Sequence, residues 1–265
     1  MVASVYGREL RANMGVAILV SGSLACCSMI VVGMFSPETA HMLASLKQLM
    51  PEVYDAFGMG HDTSSLTGFL LNYLYGFLFT LCPLAVTAAS LNRSVMRPIA
   101  SGELAQVLAS PHSRGSIAFS LVLSSLTLML FTTLLSCASV VVAAEFCFPG
   151  QLDLGAMVRV DVGLFGLQLC MAGVCTLSCL VIGHIEAAAW AGTGFCVVEY
   201  LVQMVGQAGF GGLEAQPFTI FALFDPYALA MGDGQSVIAA GVLAVVGVLL
   251  GGLGIIAFSH RDLSI

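Results

Sequence analysis

The sequence predicts an all-α polytopic membrane protein with six transmembrane helices, both termini cytoplasmic, a short cytoplasmic helix between helices 2 and 3, and a re-entrant segment before helix 6. Three observations predict it. Of 265 residues, 58% are apolar and only 9% are charged, against about a quarter charged in a soluble domain, so the chain lacks the polar surface to face water all round. Six apolar runs punctuate the chain, each of a length near the roughly 20 residues that cross a bilayer. Basic residues gather in alternate connections. The whole of 1–265 reads as a single transmembrane domain, with no room for a large soluble one.

Residues 2–12 carry Tyr6, Arg8 and Arg11 among apolar neighbours, a pattern suited to a helix lying at the interface before the chain enters the bilayer. The spans then fall at 14–35, 66–89, 116–144, 160–182, 187–208 and 237–258. Ser23-Leu24-Ala25-Cys26 partly matches a lipoprotein cleavage box, but Ser stands where Leu is wanted and the apolar run continues past the cysteine. A signal core is only about 7 to 15 residues long, so an uncleaved first span is the reading. The runs are too long and too poorly alternating for barrel strands, and their Gly and Ala content suits close packing of helices in lipid.

Arg8, Arg11, Arg93, Arg97, Arg114 and Arg261 fall on one side of six spans, and only Lys47 and Arg159 on the other. By the positive-inside rule the first set is cytoplasmic. The first outer loop holds Met42, Leu43, Leu46, Leu49 and Met50, whose spacings of three and four make a short amphipathic helix that Pro51 ends. Before the last span, residues 217–227 are apolar, too short to cross, and interrupted by proline, with Asp225-Pro226 marking a turn. That length fits a re-entrant or interfacial segment on the outer side.

Several functions are excluded or weakened. The one lysine, Lys47, has no glycine-rich loop before it and no Ser or Thr after it, so the chain carries no P-loop. Net charge is −7 and the eight basic residues form no continuous stripe, which argues against nucleic acid as a partner. Eight of the nine cysteines lie in apolar runs and only Cys147 near a loop, so neither a disulfide framework nor a metal centre is expected. HExxH and GxSxG are absent, and His184 and Glu186 are two apart, off a common helical face.

The second cytoplasmic loop is the most informative stretch. Ser101 can cap a helix with Leu104, Val107 and Leu108 on one face and Glu103 and Gln106 elsewhere, stopped by Pro111. Such a helix suits docking against a soluble partner. Gly102, Leu104, Leu108, Pro111, Ser113 and Arg114 follow the pattern Gly-Thr-Leu, then Leu-Leu-Ser/Ala-x-Pro-x-x-Arg. In these residues the loop resembles that after the second span in permease subunits of type-2 ATP-binding-cassette (ABC) exporters. It departs at Glu103, where Thr is usual, and at Arg97-Pro98, where acidic residues are frequent. Phe258-Ser259-His260-Arg261-Asp262-Leu263 is similar to the Phe-x-x-Arg-Asp-Leu ending of many such permeases, and 49–58 with 67–70 looks like their first outer loop in a bacterial branch.

The resemblance implies a subunit of a multi-pass exporter in the bacterial or archaeal cell membrane. Two six-span copies, identical or related, would form the path for a lipid-like, drug-like or peptidic substrate. A separate ABC ATPase would bring ATP and Mg and dock on Ser101, Gly102, Glu103, Leu104, Gln106, Val107, Leu108, Pro111 and Arg114. The permease itself would bind no cofactor and be no enzyme. An ion- or proton-coupled secondary transporter or channel is the alternative.

Polar groups inside spans are costly and face a bundle interior or a cavity. Glu199, Gln203 and Gln207 are spaced by four along one stripe of the fifth span, as substrate contacts, subunit-interface bonds or bonds within the bundle. Asn72 and Tyr73 on the second span and Gln168 on the fourth could line the same path, or bond a neighbouring backbone. Gly247 and Gly251 form a GxxxG pattern. Arg159 and Asp161 are read as reaching the outer interface.

Overall fold

The computed structural model describes residues 2–56, 65–100, 112–182, 185–207 and 219–260. All its regular elements there are helical: α1 (Ala3–Met34), α2 (Pro37–Leu49), α3 (Pro51–Ala56), α4 (Leu66–Met96), α5 (Arg114–Cys147), α6 (Leu154–Val181), α7 (Ile185–Gln207), α8 (Pro226–Met231) and α9 (Gly234–His260). A single turn, Arg97–Ala100, continues α4. Five of these, α1, α4, α5, α6 and α9, are long and apolar enough to cross a membrane. The chain is thus a multi-pass membrane protein by the length and composition of its helices. α7 is 23 residues long, about 34 Å at 1.5 Å per residue, and carries Glu199 and Gln203 among its apolar residues.

The long helices run alternately up and down. Phe35 after α1 packs on Phe69 at the start of α4 and on Phe148 after α5, both at 5.4 Å. At the opposite end, the Val2 amide donates to Ser120 Oγ of α5 at 2.7 Å, and Gly115 lies beside Ser259 near the end of α9. Both ends of the described chain therefore sit at the end of the bundle where Arg114 begins α5. An odd number of full-length passes could not return them there, so α7 runs the length of the bundle antiparallel to α6.

Residues 2–12 are not a separate interfacial helix: α1 continues unbroken from Ala3 to Met34. The physical reason is a polar face that finds partners. Tyr6 donates to Thr127 on α5, and buried Asn13 donates to the Glu9 carbonyl and to Ser94 on α4, while Glu9 pairs with Arg8 at 2.9 Å. Hydroxyls on two neighbours hold the first turns against the bundle, so nothing bends them aside.

The outer-loop helix forms as α2, capped by Ser36, which accepts from the Thr39 amide at 3.0 Å. It ends at Leu49, and Pro51 opens α3. Met42, Leu46 and Leu49 remain exposed along one stripe. Residues before the last span form a 3-10 turn, Ile220–Leu223, then α8, whose cap Asp225 accepts from the Tyr227 and Ala228 amides. Gly232, at φ +79°, ends α8 in the left-handed region that an L side chain resists.

α6 is the most buried of the apolar helices and packs chiefly on α9. Gly166 lies against the Ala240 carbonyl, Gly173 against Gly247, and Gly254 of α9 against Leu177. The contact therefore repeats every seven residues on both helices, at Gly166 and Gly173 and at Ala240, Gly247 and Gly254. The GxxxG pattern is corrected in half: a Cβ on Gly251 would meet nothing within 4 Å, while one on Gly247 would strike the backbone of Leu169 and Cys170. Opposite, Trp190 on α7 turns outward, 75% exposed.

Candidate functional site

The site is built around an interruption in α4. A run so apolar would form a uniform helix, but π turns occupy Leu71–Tyr75 and Asn92–Met96, and Gly76 and Phe77 form a turn between two helical halves. Interrupted backbone inside a bundle needs substitute partners. Thr80 Oγ1 donates to the Tyr75 carbonyl at 2.6 Å, and the Tyr200 hydroxyl of α7 donates to the Gly76 carbonyl at 2.9 Å. Pro83 has no N–H for the carbonyl four residues back, that of Phe79. Gln168 of α6 fills that place: its Nε2 donates to Phe79 O at 3.0 Å while its Oε1 accepts from Thr133. At 1% exposure, Gln168 is thus bonded at both ends of its amide and acts as a strut.

Asp161, expected at the outer interface, turns toward α4 within the bundle. It lies two turns into α6 and accepts a hydrogen bond from the Tyr75 hydroxyl, beside the interruption in α4. Arg159 instead donates to the carbonyls of Leu229 and Ala230, closing the C-terminal end of α8. Asp161 is the side chain at the interruption whose placement sequence reasoning missed. Its signal was available, since it precedes Gln168 by seven positions and so shares its helical face.

The stripe on α7 divides. Gln203 and Gln207 line a cavity, whereas Glu199 Oε2 accepts from the Ile220 amide at 3.2 Å and is not in the lining. Gln203 also accepts from the Thr219 hydroxyl. Glu199 and Gln203 together tie the 3-10 turn to α7, which is the bond-within-the-bundle role among those considered. Asn72 is buried in the first π turn of α4 and, like Gln168, is absent from the lining. Tyr73 stacks on Phe69 at 4.7 Å.

The cavity has a volume of about 440 Å³. It lies toward the end of the bundle that holds α3 and α8. Asp55, Asp225 and Tyr227 line it with the residues of α7, and its wall reaches Tyr75, Gly76 and Thr80 at the interruption. Tyr200 packs edge-on to Phe221 at 5.2 Å and close to Phe77 at 5.9 Å, so the lining aromatics brace one another. Polar groups continue past the floor through Asp161 to Gln168 and Thr133. Among the described residues no group of three His, Cys, Asp or Glu could hold a metal ion.

Of the expected docking residues, Ser101 to Leu108 and Pro111 lie outside the described residues; Arg114 is the exposed first residue of α5, behind the cap Ser113. The terminal motif is described through His260, with Phe258 fully buried. Comparison with protein-family models, with curated proteins and with solved structures gives no match. The chain's class is therefore set by its own architecture, that of a helical multi-pass membrane protein with a cavity lined by polar and aromatic side chains.

Proposed function

We propose that the chain is the membrane-spanning permease subunit of an ATP-driven exporter, with α7 as its sixth span, both termini cytoplasmic and the cavity facing outward. One observation carries the reading: the cavity lies between α3, α7 and α8, its lining reaches Tyr75 and Thr80 at the interruption in α4, and polar side chains continue beyond them. A cavity that reaches an interrupted helix suits a transporter that alternates between two packed states. In this reading ATP and Mg belong to a separate ABC ATPase, in keeping with the lack of a P-loop in this sequence, and the 101–108 stretch would serve as its docking segment by the resemblance above. A second copy of the chain, or a related permease, completes the path in the cell membrane.

The test is co-purification with a P-loop ATPase encoded beside this chain, followed by transport in proteoliposomes. Leu104→Pro breaks the docking helix, so transport is expected to fall to background while the subunit still inserts. Wild-type transport in that variant would overturn the docking role. A second reading, proton-coupled transport, is favoured by the Asp161 carboxyl held inside a spanning helix by Tyr75. Uptake that follows a proton gradient without any ATPase, and disappears in Asp161→Asn, would select it.

A further inference from the structure

The cavity's chemistry narrows what enters it. Its volume of about 440 Å³ lies within the range of roughly 300 to 1,000 Å³ of small-molecule sites. Five aromatic residues line it, Tyr75, Tyr200, Phe221, Phe224 and Tyr227, and ring faces attract cations through their quadrupoles. Two carboxylates, Asp55 and Asp225, line it as well, and a third, Asp161, stands directly behind Tyr75. The amides that cap on Asp225 fix its carboxylate in place without removing its charge. The described lining contains no Lys or Arg.

The approach to the cavity has the same sign. Among the described residues, 36–56, 145–159 and 219–236 lie at this end, and they hold seven carboxylates, Glu38, Glu52, Asp55, Glu145, Asp153, Asp225 and Asp233, against two basic residues, Lys47 and Arg159. Arg159 is occupied by the carbonyls that end α8. A mouth of one sign above a low-dielectric wall concentrates counter-ions and repels the opposite species.

We propose that the cavity is a binding site for an amphipathic organic cation, whose apolar body packs on the tyrosine and phenylalanine rings while its charge is offset by Asp55 and Asp225, with Gln203, Gln207 and Thr80 available for hydrogen bonds. This rests on the transport reading for its purpose but not for its test, because binding is measured on the isolated chain.

The full chain in phosphatidylcholine nanodiscs is titrated with tetraphenylphosphonium and, separately, with tetraphenylborate, an ion of nearly the same size and apolarity but opposite charge. Empty nanodiscs give the partitioning baseline. Saturable binding of the cation alone is expected. It should weaken by about tenfold or more in Asp55→Asn with Asp225→Asn, since both nearby charges are lost. Asn caps a helix nearly as well as Asp, so α8 should survive the change. Equal or tighter binding of the borate, absence of saturable cation binding, or an unchanged double variant would each overturn the proposal. The comparison of the two ions on the unaltered chain decides it even if the variant fails to fold. Cation binding without any co-purifying ATPase would sink the exporter reading and leave the site standing.

Discussion

Where α6 meets α9, backbone lies on backbone: Gly173 touches Gly247, Gly166 touches the Ala240 carbonyl, and Gly254 touches Leu177. Where the same helix faces α4, the contact is made by side chains instead, Asp161 to Tyr75 and Gln168 to Phe79 O. The first interface leaves no clearance for a methyl group, and two helices so engaged move as one body. The second joins a helix already divided at Gly76 and Phe77, through hydrogen bonds that can be exchanged one at a time. If the bundle has two states, α6 and α9 are the frame and the lower half of α4, with α7 and α8, is the part that shifts.

The largest effect that could break this comparison is expected at the glycine contact. Gly173→Leu or Gly247→Leu forces a side chain into a facing backbone, beyond the roughly 1 to 3 kcal/mol typical of overpacking because backbone cannot repack around it. Loss of monodisperse protein in detergent, or a large fall in melting temperature, is the expected readout. Gly251→Leu, which meets open space, should change stability by less than about 0.5 kcal/mol. Similar behaviour of the two would show that α6 and α9 are not in register as described.

A smaller effect sharpens the other face. Gln168→Leu removes the donor to Phe79 O and should cost about 1 to 2 kcal/mol, within the range for buried hydrogen bonds in bundles. In a Pro83→Ala background the restored N–H serves Phe79, so the same substitution should cost measurably less. A double-mutant cycle with no coupling would sever Gln168 from the proline.

The smallest effect lies at the start of α9, outside the bundle. Asp233 accepts from the Ser236 amide and hydroxyl, both at 3.0 Å, and these bonds hold its carboxyl below the usual carboxylate range. A lowered folded-state pKa means that the cap stabilises above the ordinary carboxylate pKa and is lost as pH falls through the lowered value. Thermal scans should show a slight acid-side loss in the parent that is missing in Asp233→Ala.

Much of the fold was legible because transmembrane length is a strong signal: each apolar run lies largely within an observed helix, and Asp225 and Pro226 marked a real boundary. What escaped depended on partners far away in sequence. α1 runs unbroken from Ala3 to Met34, rather than as an interfacial helix over 2–12 followed by a span, because Ser94, Ser120 and Thr127 receive its polar face. The division of α4 could not be read from Gly76 alone, since glycine is common in such spans; it needed Thr80, Tyr200 and Gln168 to absorb the freed carbonyls. On the site, Gln203 and Gln207 were found through their helical stripe. Asp161 was lost to its proximity to Arg159, where closeness in the chain suggested a shared interface although the two side chains point to different neighbours.

One consequence concerns the chain's single indole. Trp190 looks out from α7, on the half of that helix remote from Tyr200 and the cavity, and the sequence contains no other tryptophan to confuse it. Its emission therefore comes from one known position, so acyl chains brominated at successive carbons can range its depth and tell whether α7 is immersed.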